Sequence, residues 1–303
     1  MHNQFFLFKI SGYILLNVDF PVLRLICIFR RPITRSFFNK VTSLPKEQFS
    51  HRSDVEGGFL ELLVLGTSAA YPGAGKACSG YLIKKGRTHI LIDIGTGVLS
   101  NLLRWLNPSK LQGIVITHLH PDHFLDIYPL RYFLQFDGSS QSPIRILAPP
   151  GAEEFITQLV DKEGKRKFRE LFQFVNINDE DHFKLGEIEL KFQPVSHFIP
   201  TYGVIIGDKQ LVYSSDCAYD FLLSSLAEGA KTLLCESTLQ GRMSSGHLTG
   251  EQAGLLAQKA GVKRLFLTHF WPSLDLEVFK KEAEKTFPGE IFLARENERY
   301  QLE

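Results

Sequence analysis

The chain has 303 residues, 34 Lys+Arg against 33 Asp+Glu, and a formal net charge of +1, long enough to bury a sizeable core in one large domain or two small ones. Its 44% hydrophobic and 22% charged residues are ordinary for a soluble globular protein. Cys27, Cys78, Cys217 and Cys235 show no CxxC spacing, which argues against a disulfide framework and points to a reducing, cytoplasmic compartment.

Charge is uneven along the chain. Met1–Arg52 carries eight Lys/Arg against Asp19 and Glu47, so the remainder is mildly acidic, unlike a body built to grip a long nucleic acid. The segment "FFLFKISGYILLNVDFPVLRLICIF" is apolar but broken by Lys9, Asp19, Pro21 and Arg24. It is too interrupted for a membrane span of about 20 residues and lacks a secretory cleavage site, although its Arg-rich, acid-poor composition loosely resembles a transit peptide. Residues 1–58 are read as an N-terminal extension, poorly ordered or loosely packed. A strand or helix packed on the body, and a stretch upstream of a misassigned start, stay open beside that reading.

From Phe59 the pattern changes to short apolar strands and turns. "FLELLVLGT" predicts a strand, and "GYLIKKGRTHILIDIGTG" a hairpin around Lys85-Gly86. "VLSNLLRWL" predicts an amphipathic helix ended by Asn107-Pro108. "LQGIVITHLH" reads as a buried strand, "FLDIYPLRYFLQF" as helix, and "IRILAPP" as strand. Helices are expected around Ala152–Val160 and Arg166–Phe174, then strands in "EIELKFQPV", "TYGVIIG" and "QLVYSSD". "TLLCEST" and "RLFLTHF" are strands ending in polar residues, with the helix "LTGEQAGLLAQKAG" between them. There is no internal repeat, and the order suggests sheets covered by helices.

The chemistry concentrates in "THLHPDH", residues 117–123. His118 and His120, two apart on a tight loop after an apolar strand, can reach one cation, and the adjacent Asp122 and His123 can turn to a second. Imidazole with carboxylate suits Zn²⁺, with Mn²⁺ or Fe²⁺ as alternatives. His197, Asp216 and His269 each follow another apolar strand. Seven ligands with one shared carboxylate are what two cations about 3.5–4 Å apart require. His2, His51, His89 and His182 lack such settings and are read as surface or structural.

With these residues in hand, the chain resembles the metallo-β-lactamase-fold hydrolases, in particular the ribonuclease Z-like and phosphodiesterase branch, over Phe59–Glu303. The resemblance implies an α/β fold, the four-layer αββα metallo-β-lactamase sandwich, for residues 59–303. It assigns one metal site to His118, His120 and His197 and a second to Asp122, His123 and His269, with Asp216 bridging. It makes Asp93 of "LIDIGTG" a buried acceptor that orders the metal loop. "CESTL" resembles the branch's His-Glu-Ala-Thr segment and retains Glu236. "GHLTGEQAG" places His247 at the catalytic histidine, with Glu236 orienting it. Asp122, His247 and Glu236 are thus the catalytic candidates.

One departure bears on substrate. Only Phe198–Ser215 separates His197 from Asp216, too little for the tRNA-holding arm of ribonuclease Z. The expected activity is a dinuclear phosphodiesterase acting on a small phosphodiester, such as a cyclic nucleotide, through a hydroxide shared by two cations, with His247 serving the leaving group. Ribonuclease Z-type tRNA 3′ processing and lactonase or other ester hydrolysis are the alternatives. RNA is disfavoured as a partner, stable membrane insertion is not expected, and a homodimer is left open.

Overall fold

The computed structural model describes residues 6–10, 13–20, 23–29, 58–137, 142–178, 182–241 and 246–302. The chain divides into two compact units, Met1–Leu44 and Pro45–Glu303. In the first, β1 (Phe6–Ile10), β2 (Tyr13–Phe20) and β3 (Leu23–Phe29) form an antiparallel sheet in sequence order. The side chains of this unit, and residues 30–57, lie outside the described residues. So do His2, His51, the side chain of Cys27, and therefore the expectation of a loosely packed extension over residues 1–58.

The second unit is built on two seven-stranded sheets. The first comprises β4 (Leu60–Gly66), β5 (Gly80–Lys85), β6 (Thr88–Ile92), β7 (Gly113–Val115), β8 (Ile144–Ala148), β9 (Phe172–Asn176) and β17 (Arg299–Leu302), in the order β17-β4-β5-β6-β7-β8-β9. The second runs in chain order from β10 (His182–Leu185) through β11 (Ile188–Val195), β12 (Thr201–Ile206), β13 (Leu211–Tyr213), β14 (Thr232–Glu236) and β15 (Arg264–Thr268) to β16 (Glu290–Leu293).

The near-continuous apolar runs follow from burial on both faces, since alternate residues of a strand point to opposite sides. Val64, Tyr81, Ile90, Val115 and Leu147 of the first sheet pack with Leu190, Tyr213, Leu234 and Phe266 of the second, filling the space between the sheets. Their neighbours Leu65, Leu82, Leu91, Ile114 and Ile146 face the other way, into a core with α1 (Val98–Leu102), α2 (Pro121–Phe124), α3 (Ile127–Phe136), α4 (Ala152–Thr157) and α5 (Lys162–Leu171). Val212, Leu233, Cys235, Leu265 and Leu267 pack outward against α6 (Phe221–Ala227), α7 (Gly250–Ala260) and α8 (Leu276–Glu284). Three apolar layers separate four structural ones, and the expected αββα sandwich is the fold. Among the described residues no helix is long and apolar enough to cross a membrane.

Several boundaries differ from the sequence expectation. The helix predicted over Arg166–Phe174 ends at Leu171, and Phe172–Asn176 joins β8 as a parallel strand, because Phe172 buries into the outer core from an extended backbone. The helix from "VLSNLLRWL" stops at Leu102. The short strands β10, β16 and β17 and the helices α6 and α8 are not among the elements expected from the sequence.

Candidate metal centre

Direction in the sheets brings the polar residues together. β6, β7 and β8 run parallel, as do β13, β14, β15 and β16. β11 is antiparallel to β12, which is antiparallel to β13, so β11 also runs with the parallel set. The carboxyl ends of these strands share one edge, the place where open α/β sheets bind ligands. Asp93 follows β6, His118 follows β7, His197 follows β11, Asp216 follows β13 and His269 follows β15. Tyr202 N–H donates to the Thr117 carbonyl at 3.1 Å, tying the rims of the two sheets together.

The loop after β7 is short because Pro121 occupies the first position of α2, where its missing N–H costs nothing, with His120 at the N-cap. Gly95 lets the loop after β6 press against it: a Cβ there would lie 1.9 Å from the Asp122 carbonyl oxygen. Four of the six described non-glycine residues with positive φ border the centre: Ala70, Asp93, Ser215 and His269, at 55–58°. Backbone in this region is disfavoured for L-residues and marks a constrained site.

All seven expected ligand residues converge. His120 Nδ1 lies 3.1 Å from His118 Nε2 and 3.2 Å from His197 Nε2. Asp216 Oδ2 stands 3.7 Å from His118 Nε2 and 4.0 Å from His197 Nε2. On the other side, His123 Nε2 and His269 Nε2 are 3.3 Å apart. Asp122 Oδ2 is 3.7 Å from His123 Nε2 and 3.3 Å from His269 Nε2, and Asp216 Oδ1 is 3.4 Å from each. Asp216 therefore offers one oxygen to each group.

The donor set suits cations. His123 Nδ1–H donates to Asp93 Oδ2 at 2.8 Å, and His197 Nδ1–H donates to the Gly246 carbonyl at 3.0 Å. His118 Nδ1–H donates to Thr117 Oγ1 at 3.1 Å, and the Thr117 hydroxyl donates to Asp93 Oδ2 at 3.0 Å. His269 Nδ1–H donates to Thr238 Oγ1 at 2.8 Å, and the Thr238 hydroxyl donates to Glu236 Oε2 at 2.7 Å. These partners fix the tautomers so that four Nε2 lone pairs face inward. Lone pairs 3.1–3.3 Å apart repel unless a positive charge lies among them. The buried Asp216 Oδ1 also lacks a well-aligned hydrogen-bond donor. Two groups of donor atoms, His118/His120/His197/Asp216 and Asp122/His123/His269, are each compact enough to hold one ion.

Electrostatics agree. Burial lowers the pKa of His118, His120 and His197, keeping their rings neutral as ligands require. Burial works against a charged His123 too, but Asp216, Asp93 and Asp122 outweigh it and raise its pKa, the same carboxylates that would attract a cation. Burial opposes ionisation of Asp122 and Asp216 as well. Surrounding histidines override it and hold both carboxyls below the usual range.

Glu236 is fully buried and gathers five donors. Oε1 accepts from Cys217 N–H and His247 Nδ1–H, each at 2.9 Å. Oε2 accepts from the Thr238 hydroxyl and from the backbone N–H groups of Thr238 and Leu248. It thus ties the loops carrying Asp216 and His247 to one carboxylate, and reaches His269 through the Thr238 hydroxyl. Burial alone would depress His247; the hydrogen bond it donates to Glu236, together with that carboxylate's charge, carries its pKa up to about 9. A ring nitrogen of His247 also lies within 4.8 Å of Asp216 and His269 donor atoms, so His247 borders the second group. Thr249 caps α7 with a capping box to Gln252 and fixes the chain direction immediately after His247.

Sequence reasoning missed Thr117, Thr238 and Tyr213. The two threonines carry no signal apart from adjacency to strand ends, and Tyr213 donates its hydroxyl to Asp93 Oδ2 at 3.3 Å from inside β13. His182 is exposed beside Glu189, and His89 is half-buried away from the centre. Cys78, Cys217 and Cys235 are free and buried, and burial pushes the Cys78 thiol up to about 12, so these cysteines are packing residues.

Residues 88–270, more than half of the chain, match the family described as "Beta-lactamase superfamily domain". The chain is 28% identical to the protein named "Probable metallo-hydrolase YhfI" of Bacillus subtilis, over 78% of this chain and 97% of that one. It is 27% identical to a ribonuclease Z of Thermobifida fusca, over 78% of this chain and 92% of that one. The crystal structure of YhfI superposes with a TM-score of 0.72 at 26% identity, covering 80% of this chain and 99% of that one.

Proposed function

This chain belongs to the beta-lactamase superfamily and is a hydrolase, and we propose that it is a dinuclear phosphodiesterase acting on a small phosphodiester such as a cyclic nucleotide. The observation that carries the proposal is Asp216, whose two oxygens each face a separate histidine group. His118, His120 and His197 would hold one divalent ion and Asp122, His123 and His269 the other, zinc being favoured by the imidazole-rich donor set over manganese or iron. Ions held there would supply Lewis acidity, which makes water nucleophilic near neutral pH and draws charge from the phosphoryl oxygens.

The chain's own residues do the rest. Glu236 takes the Nδ1–H of His247 and leaves Nε2 for the departing oxygen of the ester. Asp93 and Thr117 fix the rings of His123 and His118, and Thr238 fixes that of His269. Substrate size follows from the connection between His197 and Asp216. It is filled by β12, β13 and a tight turn at Gly207–Lys209, leaving no insertion to grip a long RNA. The buried free cysteines support a reducing, cytoplasmic setting. The likeness to a ribonuclease Z keeps tRNA processing as the second reading.

A panel of a cyclic nucleotide, a linear phosphodiester, a lactone and precursor tRNA, run on protein with its bound metal quantified, tests the proposal. Turnover of the small phosphodiesters is expected. Cleavage of precursor tRNA with the small esters untouched would replace this reading with the second, and lactone hydrolysis alone would replace both.

A further inference from the structure

Three exposed aromatic residues lie in segments that carry the centre: Tyr71, Phe198 and Trp271. Phe198 is engaged already. It packs against the rings of His197 and His247 and covers Gly246, where a Cβ would lie 2.2 Å from its ring. Tyr71 and Trp271 differ. They are 46% and 39% exposed and meet edge-on, with centroids 5.7 Å apart at 89°. An edge-on brace fixes the rings while leaving flat π-surface uncovered.

Both residues are anchored to the centre. Tyr71 follows Ala70, whose N–H donates to Asp122 Oδ2 at 2.7 Å. Trp271 follows His269 by two residues, and the intervening Phe270 is buried and bonded to the opposite strand end through Ala69 N–H to its carbonyl and its own N–H to the Thr67 carbonyl, both 2.8 Å. Two residues of chain span at most about 7 Å, the scale on which a ribose separates a phosphate from its base. Trp271 also lines a cleft of about 820 Å³ with Ser68, Gly73 and Lys76 of the Tyr71 segment, a cleft whose walls include none of the seven ligand residues.

We infer that Trp271, braced by Tyr71, is the stacking platform for the nucleobase of the substrate. The inference rests on the phosphodiesterase reading and narrows its substrates to nucleotides. A planar ligand gains from a rigid aromatic face in a sequence-tolerant way, so the site takes nucleotides as a class rather than one base.

Two measurements test it. The chain has two tryptophans, so Trp105→Phe leaves Trp271 as the sole indole. Titration of that variant with AMP should quench its fluorescence saturably, while ribose 5-phosphate should not. In turnover, Trp271→Ala should raise KM for adenosine 3′,5′-cyclic monophosphate about 10- to 100-fold, with kcat little changed. It should leave KM for the same cyclic phosphate lacking the base unaltered, and Trp271→Phe should restore most of the loss. Equal KM changes on both substrates, or absence of AMP quenching, would overturn the platform while leaving the phosphodiesterase reading intact. If neither substrate is turned over, the phosphodiesterase reading fails, and the quenching experiment alone decides the platform.

Discussion

Asp216 Oδ1 lies 3.4 Å from His123 Nε2 in a fully enclosed setting, yet makes no well-aligned hydrogen bond. A buried carboxylate oxygen left so costs free energy unless something positive compensates it. Asp216→Ala is therefore expected to lose metal at both groups and turnover with it. Metal analysis of the purified variant checks this, and full occupancy with normal turnover would refute the bridge.

Metal removal should also act on stability. The inward lone pairs and the carboxylates Asp122 and Asp216 repel one another without a cation, and the unfolded chain has no assembled site. A cation at 100-fold its dissociation constant stabilises the folded state by about 2.7 kcal/mol. Chelator-treated protein is expected to melt earlier and to regain its transition on zinc addition. A melting curve indifferent to both treatments would argue against a metal centre.

Asp93 makes a prediction distinct from that of the ligands it supports. It accepts from Thr117 N–H, the Thr117 hydroxyl, His123 Nδ1–H and the Tyr213 hydroxyl. Asp93→Asn would turn an amide donor toward some of these donors and is expected to weaken metal affinity or activity by about 10- to 100-fold. Competition with a chromophoric zinc chelator measures the first effect directly.

His247 separates leaving-group chemistry from metal binding. Its Nδ1 is committed to Glu236, although it borders the second donor group. His247→Ala should slow substrates with poor leaving groups by about 10²- to 10⁴-fold more than a nitrophenyl ester, which needs no proton. Metal content should stay unchanged. Loss of metal in that variant would make His247 a ligand.

Gly95 tests the packing beneath the metal loop. Gly95→Ala would place a Cβ 1.9 Å from the Asp122 carbonyl oxygen, so one of the two loops must move. The expected cost is about 1–3 kcal/mol of stability, together with weakened metal binding, read by thermal melting and metal analysis side by side.

The sequence by itself determined what depends on near neighbours and on residue type. His118, His120, Asp122 and His123 fall within six residues on one loop, so chain geometry alone keeps them close. Strands buried on both faces announce themselves as apolar runs, and the Thr249–Gln252 capping box begins α7 where "LTGEQAG" predicts. Tertiary structure decided the rest. His197, Asp216 and His269 meet the loop only because the strands before them run in the same direction and end on one edge. Which oxygen of Asp216 faces which histidines depends on a backbone held at φ 55° at Ser215 and 57° at His269, values that residue type disfavours. The roles of Thr117 and Thr238 exist only across such contacts, because a hydroxyl can fix a ring's tautomer only when folding has placed it within about 3 Å of the nitrogen.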